Sequence, residues 1–231
     1  MIKALIFDYG GTLDTGGNHW EHVLWHAYQR CGVPVSEQLF RDAYVHTERL
    51  LGSKNIIQPD FTFRQTLEAK ITLQMQFLEL RDNSYVPALF EDVYALTQQH
   101  TAHSVEVLTR LKSRYVLMLV SNFYGNLPVV LREFGFDGLF LKVVESAAVG
   151  IRKPDPRIFQ LAIESLGLCP DEVAVIGDSI KNDILPAQHL GCQTVWFKGE
   201  QWTDTPSYQT ASERIITDLC QLSDIFNQLR A

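Results

Sequence analysis

Four short stretches of this 231-residue sequence place carboxylates, a hydroxyl and an ammonium where they could do chemistry together. Asp8 follows the apolar run Leu5-Ile6-Phe7 and leads into Tyr9-Gly10-Gly11-Thr12. Ser121-Asn122 follows a second apolar run at 115–120. Lys153 lies in Arg152-Lys153-Pro154-Asp155-Pro156, just ahead of an amphipathic stretch. Asp178 and Asp183, in Gly177-Asp178-Ser179-Ile180-Lys181-Asn182-Asp183, follow a third apolar run at 173–176. A carboxylate at the mouth of a buried strand carries a high desolvation cost unless a charge or hydrogen bond meets it there. Glycines after it let the chain turn sharply and let a ligand or ion come close. Strand, carboxylate and glycine turn together describe an active-site edge of an open α/β sheet. Taken singly, each residue has a structural alternative: Asp178 as a helix cap, Ser121 as a turn cap, Lys153 as a solvated loop lysine.

Elements that could bring these groups together are readable around them. The apolar runs at 5–7, 115–120, 173–176 and 194–197, with shorter ones at Val143-Val144 and Ile215-Ile216, predict strands. Helical spacing predicts helices over 127–134, 156–166, 180–190 and 219–229, with Gly191 as a C-cap. Pro87 marks the start of a helix towards His100, and Val105, Leu108 and Leu111 mark another leading into the second strand. Strands alternating with helices imply an α/β, doubly wound parallel (Rossmann-like) sheet, whose strand ends converge on one crevice. The block 15–85 shows no convincing strand. Trp20, Val23, Leu24, Ala27 and Cys31 share one helix face, Ser36 is placed to cap a second helix, and Leu67, Ile71, Met75 and Leu78 lie on a third. The expected organisation is a discontinuous α/β core, 1–14 and 86–231, with a smaller helical cap, 15–85.

In this order, at these strand ends, the motifs resemble those of the haloacid dehalogenase-like hydrolase superfamily, and the match spans most of the core. Asp8, Gly11, Thr12 and Leu13 fit its first motif, Ser121 its second, Lys153 its third, and Asp178 and Asp183 its fourth. The resemblance implies a phosphatase-type enzyme acting on a small phosphorylated metabolite. It makes Asp8 the nucleophile of an aspartyl-phosphate, and Asp8, Asp178 and the Gly10 carbonyl the ligands of Mg²⁺. Ser121 and the amides near Gly10–Gly11 would hold phosphoryl oxygens, with Thr12 and Asn122 on the substrate side. Lys153 would offset charge, and Asp183 would orient it.

One position departs from the pattern. Family phosphatases carry an aspartate where this chain has Gly10, and that acid protonates the leaving alcohol and later activates water. Such help is worth about 10²–10⁴ in rate. Asp14 or a cap group would have to replace it, or the substrate would need a good leaving group. A competing reading is a lapsed scaffold that binds phosphate ligands for regulation. A phosphonoacetaldehyde hydrolase needs a cap lysine, for which Lys54 is the candidate, and a dehalogenase is disfavoured because both metal-site acids are present.

Composition is that of an ordinary globular chain, 46% hydrophobic and 20% charged, and the net charge of −7 argues against a nucleic-acid surface. No apolar stretch nears a membrane span, and the segment before Asp8 is too short for a signal peptide. Cys31, Cys169, Cys192 and Cys220 are far apart and form no Cys-x-x-Cys pair, so free thiols and a cytoplasmic location are expected. His19, His22 and His26 fall on one helical stripe with spacing that suits a transition metal, but no neighbouring acid or cysteine completes a site. Trp25 points away from the apolar face, towards substrate, the core or a second subunit.

Overall fold

The computed structural model describes residues 1–80, 84–200 and 214–228. Among the described residues, six parallel strands form one sheet: β1 (Ala4–Phe7), β2 (Val116–Ser121), β3 (Lys142–Glu145), β4 (Val173–Gly177), β5 (Gln193–Phe197) and β6 (Ile215–Ile216). Their order is β3-β2-β1-β4-β5-β6. The chain leaves β1 towards one edge and later returns to its other side, so the order reverses at β1. That switch point is where the carboxyl ends of an open sheet leave a crevice.

The strands read as continuous apolar runs because both faces are covered. Alternate residues point to opposite sides. Leu5 and Phe7, Leu117 and Leu119, and Ala174 and Ile176 enter one apolar cluster; Ala4 and Ile6, Met118 and Val120, and Val173 and Val175 enter the other. The second cluster is closed by Ile158, Phe159, Ala162 and Ile163 of the amphipathic helix Arg157–Leu166.

Between β1 and β2 the described residues form α1 (Trp20–Arg30), α2 (Glu37–Ser53), α3 (Phe63–Phe77) and α4 (Tyr85–Lys112). Ser36 caps α2 as expected, its hydroxyl accepting from Leu39 N at 3.3 Å. Trp25 packs on Phe40, ring centroids 5.2 Å apart. The two helices expected on either side of His100 are one. No glycine or proline occurs between Pro87 and Gly125 to interrupt it, and Thr97 and Thr101 bond back to the carbonyls four residues earlier. The first half of α4 packs with the cap helices, Arg30 pairing Asp92 at 2.6 Å and Arg64 lying 4.5 Å over the Phe90 ring. Its second half covers the sheet through Val107, Leu108 and Leu111. The helical packing thus runs past residue 85.

After β2 come α5 (Leu127–Glu133), α6 (Ser146–Val149) and α7 (Arg157–Leu166). The helix expected over 180–190 is instead a π-helical turn, Ile180–Ile184, followed by α8 (Leu185–His189). Ile184 N bonds to Ser179 O five residues back, and Pro186, with no N–H, follows at once. The last expected helix begins as a tight turn, Leu219–Gln221, and continues as α9 (Leu222–Gln228); Leu229 lies outside the described residues.

Candidate active site

Asp8, Ser121, Lys153, Asp178 and Asp183 converge at the carboxyl ends of β1, β2 and β4, around one cavity of about 100 Å³. Lys153 is the hinge of the cluster. Its Nζ donates to Asp8 Oδ1 at 2.5 Å and to Asp183 Oδ1 at 2.6 Å, and it is 6% exposed. Burial alone would pull the ammonium's pKa down; Asp183 and Asp8 outweigh it and hold it above its ordinary value. Asp8, Asp178 and Asp183 each offer a carboxylate oxygen within 4.8 Å of the others. Burial, then Asp8 and Asp183, push the Asp178 carboxyl well above the usual range, and burial takes Asp183 up to about 6 against the pull of Lys153. Three carboxylates facing one ammonium leave two negative charges uncompensated when all are ionised. The donors are hard oxygens, so donor type and charge both fit one divalent cation such as Mg²⁺.

Several expected ligand-facing groups are engaged with the protein instead. The Thr12 hydroxyl donates to Asp178 Oδ1 at 2.9 Å and accepts from Asp178 N at 3.0 Å, so it sets the position of that carboxylate. Asn122 bonds the Lys153 backbone at both ends of its amide, accepting from Lys153 N at 2.9 Å and donating to Lys153 O at 3.0 Å. Gly11 N, expected to meet a phosphoryl oxygen, donates to Asp14 Oδ1 at 2.8 Å. Gly11 itself is demanded by geometry: φ is +96°, and a Cβ would lie 2.5 Å from the Asp178 carboxylate oxygens. Gly10 is not constrained in this way. A Cβ there would meet nothing nearer than the Trp20 indole at 3.8 Å.

Asp14 lines the same cavity as Gly10. Its second oxygen accepts from Trp20 Nε1 at 3.0 Å, and the side chain is buried. Desolvation pushes its pKa up to about 7, with Asp8 adding to the shift and the hydrogen bonds from Gly11 and Trp20 opposing it. Asp14 and Gly10 line a second cavity of about 230 Å³ under the cap, which shares Gly10, His19, Asn122 and Asn182 with the first.

The larger cavity also contains groups for which no site role was expected: Trp20, Tyr44, Glu48, Lys70, Tyr124 and Arg152. Lys70 Nζ lies 2.7 Å from Glu48 Oε1, and Tyr124 donates to Glu48 Oε2 at 2.8 Å. Burial draws the Lys70 ammonium down, but Glu48 and Tyr44 more than compensate. Lys70 was detectable in principle, because it interrupts the apolar stripe Leu67, Ile71, Met75 three residues after its start. Lys54 lines a separate groove at the end of α2. Lys54, the lysine named for imine chemistry, thus lies outside the cavity under the cap, whose lysine is Lys70.

Comparison with known proteins places the chain in a family. The sequence model of the family described as haloacid dehalogenase-like hydrolase matches residues 2–191. The chain is 37% identical over 210 residues to a glyceraldehyde 3-phosphate phosphatase of Pyrococcus abyssi, covering 86% of this chain and 82% of that one. A match to the protein of the same name from Pyrococcus furiosus, 32% identical over 93 residues, covers 40% of this chain and only 39% of the relative's length. A phosphoglycolate phosphatase of Vibrio cholerae is 27% identical over 198 residues, with 83% and 82% covered. Among solved structures, a dehalogenase with an intermediate complex shares the fold with a TM-score of 0.64 at 21% identity, covering 97% of this chain and 96% of that one. The chain belongs to the haloacid dehalogenase-like hydrolases.

Proposed function

We propose that this protein is a magnesium-dependent phosphatase that hydrolyses a small phosphorylated metabolite through an aspartyl-phosphate on Asp8, with Asp14 taking the acid–base part that Gly10 cannot play. The observation that carries the reading is the buried Lys153 bridging Asp8 and Asp183, with Asp178 beside them, at the edge of a cavity of phosphoryl size. The phosphatase names of the relatives that align along most of this chain support the reaction class. In this reading Asp8, Asp178 and the Gly10 carbonyl would hold Mg²⁺, which when bound supplies charge neutralisation for the transferring phosphoryl group.

The protein's own groups would act in sequence. Lys153 keeps one Asp8 oxygen fixed and offsets charge on the incoming phosphate, leaving the other oxygen to attack phosphorus in line. Ser121, at the end of β2, faces the same cavity and would donate to a phosphoryl oxygen. Asp14, with a pKa of about 7, would hold a proton for the departing alkoxide near neutral pH and take one from the attacking water in the second half. Asp183 and Asn122 position Lys153, and Thr12 positions Asp178.

The cap cavity, at about 230 Å³, lies below the range that takes drug-sized ligands, so the leaving group would be small. Lys70 and Arg152 on its wall would favour an anionic or strongly polar one. The test is release of phosphate from phosphoglycolate, glyceraldehyde 3-phosphate and an aryl phosphate, with and without Mg²⁺, beside Asp8→Asn. Mg²⁺-dependent turnover lost in the variant is expected. Turnover that survives Asp8→Asn refutes the nucleophile, and absence of turnover with retained phosphate binding replaces the enzyme by a binding protein.

A further inference from the structure

The histidine stripe of α1 acquires the acid that chain order does not reveal. Glu200, in the loop after β5, places Oε2 2.7 Å from His26 Nε2 and 3.6 Å from His22 Nδ1. The three side chains each offer a ligand atom within 4.8 Å of the others. His22 and His26 are one turn apart on α1, with ring centroids 5.8 Å apart and planes inclined by 31°. His19 is not part of this set; it caps the helix, its Nδ1 accepting from Glu21 N, and lines both cavities.

Glu200 is held in place by its backbone. Its N–H donates to Asn18 Oδ1 at 2.9 Å, and its carbonyl accepts from His19 N at 3.0 Å. The approach depends on a pair of glycines. A Cβ at Gly199 would lie 2.4 Å from the Gly17 carbonyl carbon, and Gly17 itself has φ +88°. Only glycines let the segment before α1 and the segment after β5 run this close.

We propose that His22, His26 and Glu200 form a second metal site, for a first-row transition cation of the Zn²⁺ type, which clamps α1 of the cap to the core. Two imidazole nitrogens and one carboxylate oxygen are a borderline donor set that Zn²⁺ accepts and Mg²⁺ does not favour. With metal–ligand bonds of about 2.0–2.1 Å, tetrahedral ligand atoms stand roughly 3.3–3.4 Å apart. The two histidine–carboxylate separations, 2.7 and 3.6 Å, bracket that value, and all three ligand atoms lie within 4.8 Å of one another. Glu200 is exposed, which leaves the fourth position to water. The Asp8–Asp178–Asp183 centre differs in kind: it is buried and all oxygen. Because the same end of α1 carries His19 and Trp20 into the cavities, a loaded clamp would hold that wall of the substrate chamber against the core.

The experiment is calorimetric titration of the full chain with Zn²⁺ in excess Mg²⁺, which occupies the all-oxygen centre. Co²⁺ then reports geometry through its visible absorption. The expected result is one saturable Zn²⁺ equivalent, an intense four-coordinate Co²⁺ spectrum, and a Zn²⁺-dependent rise in Tm. His26→Gln and Glu200→Gln, each shown to be folded by circular dichroism, should weaken Zn²⁺ by at least about tenfold and abolish the Tm rise. His22→Gln provides a second imidazole variant should His26→Gln fail to fold. Absence of saturable uptake, or uptake unchanged in the folded variants, overturns the site. Neither outcome depends on whether the protein hydrolyses phosphate.

Discussion

Replacing Asp14 by Asn separates the energetic burden of one carboxyl from its chemical use. Burial raises its pKa from 3.8 to about 7 in the folded chain. The native state therefore binds that proton more tightly than the unfolded chain does. Stability is lost progressively as pH rises from about 4 to about 7, and above that the whole penalty stands. Roughly three pKa units at about 1.4 kcal/mol each make it about 4 kcal/mol. Asn carries no charge at any pH and escapes this term. It has one acceptor oxygen where the carboxylate serves two donors, Gly11 N and Trp20 Nε1, and leaving one donor unmatched costs about 1–3 kcal/mol. The loss is constant and the gain grows with pH. Between about pH 5 and pH 8.5 the stability of the variant relative to the parent should rise by about 3 kcal/mol, from near parity to a clear advantage. Urea unfolding of both proteins in chelator at the two pH values measures this. Phosphatase turnover should move the other way, falling by about 10²–10⁴. A stability difference that does not change with pH refutes the buried-carboxyl argument, and unchanged turnover refutes the catalytic one.

Three further outcomes follow from the same contacts. At position 10 a Cβ would meet nothing closer than the Trp20 indole at 3.8 Å, so Gly10→Asp should restore turnover to the Asp14→Asn protein, measured as kcat with Mg²⁺; no rescue would show that position 10 cannot reach the leaving group. Lys153→Met leaves Asp8 and Asp183 buried without their cation and should lower stability by about 3–5 kcal/mol in denaturant titration, together with loss of phosphate release. Glu133, on α5, accepts from Phe63 N at 2.5 Å and Tyr94 Oη at 2.9 Å; Glu133→Ala should cost about 1–2 kcal/mol and speed amide exchange at the start of α3.

What was legible in the sequence was whatever a strand end fixes. Asp8, Ser121 and Asp178 each close an apolar run, so parallel pairing alone brings them to one edge, and Lys153 needs only a short loop to join them. The single α4 was harder to see because Gln98, Gln99, His100 and His103 interrupt the apolar periodicity without breaking the backbone. Lys70 shows only as a break in an apolar stripe, and its pairing with Glu48 depends on how α2 and α3 pack, which local spacing does not encode. Glu200 is 174 residues from His26, and its approach is written in a pair of glycines whose partnership only the fold reveals. The bonds of Thr12 to Asp178 and of Gly11 N to Asp14 were not legible, because a sequence gives the donor but not its orientation.

The 28 residues of α4 make a rod of about 42 Å. The chain thus enters the cap through a glycine-bearing turn and leaves it along a stiff spar anchored under the sheet. A cap tethered in this manner has two unlike links to the core, one a short turn and the other a helix that continues beneath the sheet. Trp20 and His19 stand at the entry turn, where His19 N bonds the Glu200 carbonyl of the core and the indole lies over Gly10, so the mouth of the chamber is built beside the shorter of the two links.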